Sequence, residues 1–164
     1  TLLIYRELYQ KGLTGEALSQ RIHEMEEYEP RSIPGVLDTS AWAKTGYTGP
    51  TIGEMLIKAG HKLRRADKNR VAGKVQIHEY LKTTPSGRPR LQIFNNCVNL
   101  VRELQSLPLS KSNPEDVDTH ASDHAYDALR YMIMSRPKLD NPFQRMARIK
   151  SSHQFDPADS TFGY

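Results

Sequence analysis

Short runs rich in β-formers alternate with segments of helical period along this chain, and that alternation limits the folds open to it more than any other feature. Leu2 to Tyr9 reads as a strand, followed by a turn at Lys11-Gly12 and a helix from a Thr14 cap to about Glu27. Ala17, Leu18, Ile22 and Met25 form its apolar stripe, and Pro30 and Pro34 end it. Gly35-Val-Leu-Asp38-Thr-Ser40 reads as a buried strand whose end meets solvent. A loop with Gly46, Gly49 and Pro50 leads to a helix over Thr51–Ala59, with Ile52, Met55 and Leu56 inward and Gly60 as its stop. A short strand over His61–Ala66 precedes a helix from Asn69 to Leu81 capped by Asp67, with Val71, Val75, Ile77 or His78, and Leu81 on its inner side. After the turn segment Thr83–Pro89, Leu91–Phe94 is a strand and Asn96 begins a helix with Val98, Leu100, Val101 and Leu104. Strands alternating with helices predict an α/β domain with helices on both faces of its sheet.

Composition sets outer bounds. With 164 residues, 37% of them hydrophobic and 26% charged, the chain suits one packed globular domain and is short for two. No apolar run approaches the roughly 20 residues that cross a bilayer, and the opening Thr1–Arg6 is too short and wrongly flanked for a signal peptide. Cys97 is the sole cysteine, which excludes an internal disulfide and a multi-cysteine zinc site and fits a reducing compartment. The net charge of +4 is unevenly spread: His61–Arg90 holds Lys62, Arg64, Arg65, Lys68, Arg70, Lys74, Lys82, Arg88 and Arg90 against Asp67 and Glu79. Such a block favours a polyanion, because each phosphate contact releases condensed counter-ions; a solvated helix face is the plainer reading. No Gly-Lys-Ser or Gly-Lys-Thr occurs, so no nucleotide-driven motor is encoded in these residues.

The chemistry-bearing stretch is Ser122-Asp-His-Ala-Tyr-Asp-Ala-Leu-Arg-Tyr131, the start of a helix expected to run from a Ser122 cap to Arg136, closed by Pro137. Asp123 and Asp127 are four apart and share a face, with His124 three before Asp127. Like charges at that spacing repel by a few tenths of a kcal/mol, so something must offset them. Magnesium or manganese on carboxylate oxygens would do so, with Asp38 contributing from its strand end. Two such ions about 3.5–4 Å apart would clamp the attacking and leaving oxygens of a phosphodiester. Plainer roles stand beside this: Asp38 capping a turn with Thr39 and Ser40, Asp123 at the helix macrodipole, Asp127 paired with Arg130, and His124 on the surface. The histidines at 23, 61, 78, 120 and 153 form no ligand pattern.

The order and wording of Val-Leu-Asp38, Gly-Pro-Thr-Ile-Gly-Glu-Met55, Ala-Asp-Lys-Asn-Arg70 with Gly73, Leu-Gln-Ile-Phe94 to Arg102, and Asp-His-Ala-Tyr-Asp-Ala-Leu-Arg-Tyr131 resemble the C-terminal nuclease domain of the large terminase subunit of tailed bacteriophages. The likeness spans roughly Leu2 to Ile133. It implies a ribonuclease H-like mixed sheet and a two-metal endonuclease that cuts double-stranded viral DNA during genome packaging. The expected layout is a nuclease domain over 1–136 and a tail over 137–164 serving as a docking segment. Carried over, Asp38 is the acid of the central strand and Asp127 the late aspartate. His124 lies beside it, able to orient the attacking water, and Asp123 is a further candidate ligand for Mg2+ or Mn2+. Lys62, Arg64, Arg65, Lys68, Arg70 and Lys74 would hold the DNA backbone. The resemblance further implies a terminase ATPase domain, a small terminase subunit and a portal as partners, no membrane, and the cytoplasm of an infected or prophage-carrying bacterium.

One departure matters. In that family the first strand carries another aspartate, and this chain begins with what resembles the third strand. The expectation is a fragment lacking its first strand and a bridging ligand, weakly active or inactive alone; Glu7 is a conceivable substitute. Two rival readings are a non-catalytic DNA-binding or assembly module, and another ribonuclease H-like nuclease of resolvase or integrase type.

Overall fold

The computed structural model describes residues 1–29, 33–44, 49–108 and 123–136. The expected helix stop at Pro30, the loop residue Gly46, the Ser122 cap and the tail over 137–164 lie outside these.

The element order is β1 (Leu2–Ile4), α1 (Gly15–Glu26), β2 (Gly35–Leu37), a 3-10 turn (Thr39–Trp42), α2 (Ile52–Lys58), β3 (Leu63–Arg65), α3 (Arg70–Leu81), β4 (Leu91–Ile93), α4 (Val98–Ser106) and α5 (His124–Met134). The α/β class follows. Among the described residues the strands lie in two pairs, where one mixed sheet was expected: β1 pairs with β4 and β2 with β3, both parallel and each strand three residues long. Antiparallel pairing is confined, among the described residues, to an isolated bridge between Thr83 and Pro89.

Helix starts obey local chemistry. The Thr14 hydroxyl accepts from Ala17 N, and Thr51 and Glu54 form a reciprocal capping box. The cap of α3 is Asn69, which accepts from Ala72 N, whereas Asp67 accepts from Asn69 N one turn earlier. Among the described residues two helices lack a cap of their own. Neither Cys97 before α4 nor Asp123 before α5 makes a side-chain cap bond. Glu7 replaces the first, taking Asn99 N at 3.1 Å and Leu100 N at 2.7 Å. Glu103, only 2% exposed, replaces the second, taking Ala125 N at 2.8 Å and Tyr126 N at 2.9 Å. Carboxylates at helix N-termini also meet the positive end of the macrodipole.

The core joins Ile77 and Tyr80 of α3, Leu91 of β4, Cys97, Leu100 of α4, and Tyr126, Leu129 and Ile133 of α5. Helix α5 packs on α3, α4 and β2, so it links the two strand pairs. The strand at β2, expected to be buried, is only half-buried, and on α3 the inner residues are Gly73, Ile77 and Tyr80 while Val75 is 52% exposed. Glycine at 73 is required by close approach: a Cβ there would overlap Arg130 Cγ and lie 2.8 Å from its Cδ. Between α5 and the β2–β3 pair runs a cleft of about 1320 Å³. A second hollow of about 450 Å³ lies towards β1 and α4, and His124, Ala128 and Met132 of α5 border both.

In a helix interior Gly→Ala ordinarily stabilises by up to ~1 kcal/mol. Here Gly73→Ala is expected to destabilise by about 1–3 kcal/mol through overpacking against the Arg130 stem, read as a lower urea midpoint at unchanged slope.

Candidate functional site

The site begins where β2 ends. Asp38 occupies the cap of the 3-10 turn, and its Oδ1 accepts from Ser40 N at 2.6 Å, as the plainer sequence reading had it. Its other oxygen, Oδ2, accepts a short hydrogen bond from the Tyr131 hydroxyl. On α5, Asp127 lies four residues before Tyr131, and the same hydroxyl stands 3.4 Å from Asp127 Oδ2. One phenol thus stands between two carboxylates from distant parts of the chain, with its single proton given to Asp38.

Cations complete the arrangement. Arg130, 2% exposed, donates through Nε and Nη2 to Asp127 Oδ1 at 3.0 and 2.9 Å. Arg70, the first residue of α3, lies 3.7 Å from both Asp127 Oδ2 and Asp123 Oδ2. Lys68 Nζ is 3.6 Å from Asp38 Oδ1. The repulsion expected between Asp123 and Asp127 is therefore offset by arginines within the fold.

The electrostatics follow from these contacts. Burial pushes the Asp38 carboxyl up, but the bonds from Ser40 and Tyr131 and the Lys68 charge outweigh it, holding the group well below the usual carboxylate range. Asp123 is shifted the other way, by burial first and by the Asp127 charge second, against the pull of Arg70. Burial and the bond to Asp38 raise the Tyr131 hydroxyl, which stays protonated as a donor.

The sequence-derived candidates fall into four groups. Asp38, Asp123 and Asp127 are brought together through Tyr131 and Arg70. His124 borders the same cleft but is largely exposed; Asp123, 3.9 Å away, and the Tyr9 ring, 6.5 Å between centroids, are its neighbours. Of the basic block, Lys68 and Arg70 face the acids. Arg64 donates to Ser135 O at the end of α5, and Arg65 lies over the Trp42 ring. Lys62 is exposed on the cleft wall, and Lys74 is half-buried one turn along α3 from Arg70. Glu7, considered as a substitute ligand, is committed to the start of α4.

Tyr131 is the site residue that sequence reasoning missed, although its i+4 spacing from Asp127 placed it on the right face. Among the described residues no group of three or more Asp, Glu, His or Cys is arranged to hold a metal ion. Comparison with protein-family models, characterised proteins and solved structures gives no match to this chain.

Because Asp38 has a depressed folded pKa, its contribution to stability is present above the ordinary aspartate value near 4 and is lost as pH falls through the folded value. Tyr131→Phe removes one of the bonds that depress it. The variant should lose about 1 kcal/mol at neutral pH, a figure reduced for the partial solvation of Asp38, and begin acid unfolding at a higher pH than the parent. An acid titration followed by circular dichroism measures both.

Proposed function

We propose that this chain carries the metal-binding carboxylates of a DNA endonuclease of the terminase type, acting on phosphodiesters of double-stranded DNA. The observation that carries the reading is the meeting of Asp38, at the C-terminal end of β2, with Asp127 of α5 across the Tyr131 hydroxyl, beside a cleft with Lys68 and Arg70 alongside.

The donor set suits a hard cation. Oxygen ligands from carboxylates, with no thiol or paired imidazoles, match Mg2+ or Mn2+, and magnesium commonly uses one or two carboxylates and fills its remaining positions with water and phosphate. Asp38 and Asp127 would hold such an ion, with Asp123 in reserve behind Arg70; a second ion would need a further ligand. Bound there, the metal would polarise the phosphate and supply an activated water. The chain's own residues would do the rest. Arg130 fixes Asp127 by a two-bond fork, and Tyr131 holds Asp38 in register with it. Lys68 and Arg70 would meet the backbone phosphates, and Lys62 and Arg65 would extend the track without reading bases.

A second reading has an observation of its own. The Asp38 cap and the Asp127–Arg130 fork are each sufficient structural reasons for those acids, as in a non-catalytic DNA-binding or assembly module.

The deciding experiment is nicking of supercoiled plasmid in Mn2+ and in Mg2+ by the chain and by Asp38→Asn and Asp127→Asn, with melting curves as folding controls. The expected outcome is weak Mn2+-dependent cutting by the parent, stronger when the chain is extended upstream by about 60 residues, and lost at least a hundredfold in both folded variants with duplex affinity within about twofold. Duplex binding without cutting in either the chain or its extended form would favour the module. On the electrostatic side, Lys62→Ala with Arg65→Ala should weaken duplex binding and reduce the slope of log affinity against log salt by up to ~2; an unchanged slope would move the DNA track elsewhere.

A further inference from the structure

We propose that the turn between α3 and β4, Thr83–Arg90, is a preformed contact for the phosphate backbone of duplex DNA, separate from the Asp38–Asp127 site. It shares with the reading above only the nucleic acid, and it needs neither carboxylate nor metal.

The turn is built to hold its shape. Gly87 N donates to Thr84 O at 2.8 Å, and Thr84 N donates to Arg88 O at 3.0 Å. The Thr84 hydroxyl adds a bond to Arg88 O at 2.7 Å and meets Ser86 Oγ at 2.7 Å. Pro85 stands second in the turn, where its fixed φ is favoured, and Gly87 adopts a φ of 76–79° class typical of glycine, here 79°. Thr83 and Pro89 close the loop by their bridge, and Arg90 O accepts from Leu2 N, which ties the returning arm to β1.

This frame carries charge without partners. Arg88 and Arg90 are exposed and, among the described residues, their side chains make no ion pair, hydrogen bond or ring contact. No acid occurs between Glu79 and Glu103; Glu79 is paired with Lys82, and Glu103 is buried. Joining α3 to β4 requires neither guanidinium.

The surroundings select a nucleic acid over an acidic protein. Protein interfaces centre on buried apolar or aromatic anchors, and within the turn only Thr84 and Pro89 are even half-buried. Phosphates need no such anchor, because binding comes from counter-ion release and from the fork that a guanidinium makes with phosphate oxygens. The two arginines are two residues apart, at most about 7 Å between Cα atoms, and each DNA strand presents a phosphate per about 3.4 Å of axis, so one strand can engage both. A frame fixed beforehand also lowers the ordering cost of binding. The twelve residues of α3, about 18 Å, separate Arg70 from the turn, so this contact lies apart from the cations around Asp127.

The test is the fluorescence anisotropy of a labelled duplex titrated with the chain over a range of salt, in EDTA so that no divalent ion takes part. The parent is compared with Arg88→Ala/Arg90→Ala and with Lys11→Ala/Lys58→Ala, which removes two exposed charges elsewhere. The arginine pair should bind more weakly, by the same factor on duplexes of unrelated sequence, with the slope of log affinity against log salt reduced by about 1 per arginine. The lysine pair should bind nearly as the parent does. An unchanged slope in the arginine pair, or an equal loss in the lysine pair, overturns the proposal. If the parent holds polyglutamate more tightly than the duplex and the arginine pair abolishes this, the partner is an acidic protein and the DNA contact falls. Absence of plasmid nicking leaves the result untouched, whereas a parent that binds no duplex removes this proposal together with the one above.

Discussion

The buried guanidinium of Arg130 is the constraint around which the rest is arranged. A desolvated charge is tolerated only with a partner, and Asp127 supplies one through two bonds that converge on its Oδ1. Breaking such a buried pair from one side costs about 3–5 kcal/mol, because the remaining charge is left uncompensated. The stem of the same side chain needs room, and α3 provides it by having no side chain at Gly73. Thus α3 and α5 approach closely, Arg70 at the start of α3 comes within reach of Asp123 and Asp127, and Asp127 is held with its second oxygen towards Tyr131.

The two strand pairs are modest by comparison. Three residues per strand supply few ladder bonds, and small sheets are marginal without a packed face. Most of the buried apolar material sits instead in the junction of α3, α4, α5 and β4. Helix α5 therefore serves two purposes: its Leu129 and Ile133 side closes the core, and its Asp127 and Tyr131 side meets the end of β2.

Much of this was legible in the residues. The caps at Thr14 and Thr51, the stop at Gly60 and the element order are local chemistry, and local chemistry reads well from sequence. Asp38 and Asp127 were likewise identifiable, one from its position after an apolar run and the other from i+4 spacing. What was not legible depends on long-range contacts. The inner face of α3 is set by Gly73 and Tyr80, not by Val75, because the space was shaped by Arg130, a residue that periodicity counts as polar. The half-burial of β2 and the division into two strand pairs depend on which strands find neighbours, and no single segment encodes that. Glu103, a charged residue of α4 that periodicity does not single out, is nearly fully buried because the start of α5 supplies the donors that its carboxylate needs.

The borrowed caps of α4 and α5 also couple the site to the rest of the fold. A helix of nine or eleven residues is marginal in isolation, and among the described residues neither of these has a side-chain cap of its own. Their N-terminal amides are met by Glu7 for α4 and by Glu103 for α5, so both helices draw stability from contacts distant in sequence. The candidate site therefore depends on contacts that α5 cannot make by itself. Peptides spanning α5 alone should be mostly unstructured, and nothing resembling the Asp38–Tyr131–Asp127 connection would exist in a partly folded chain. Any activity that depends on it reports on completion of the fold.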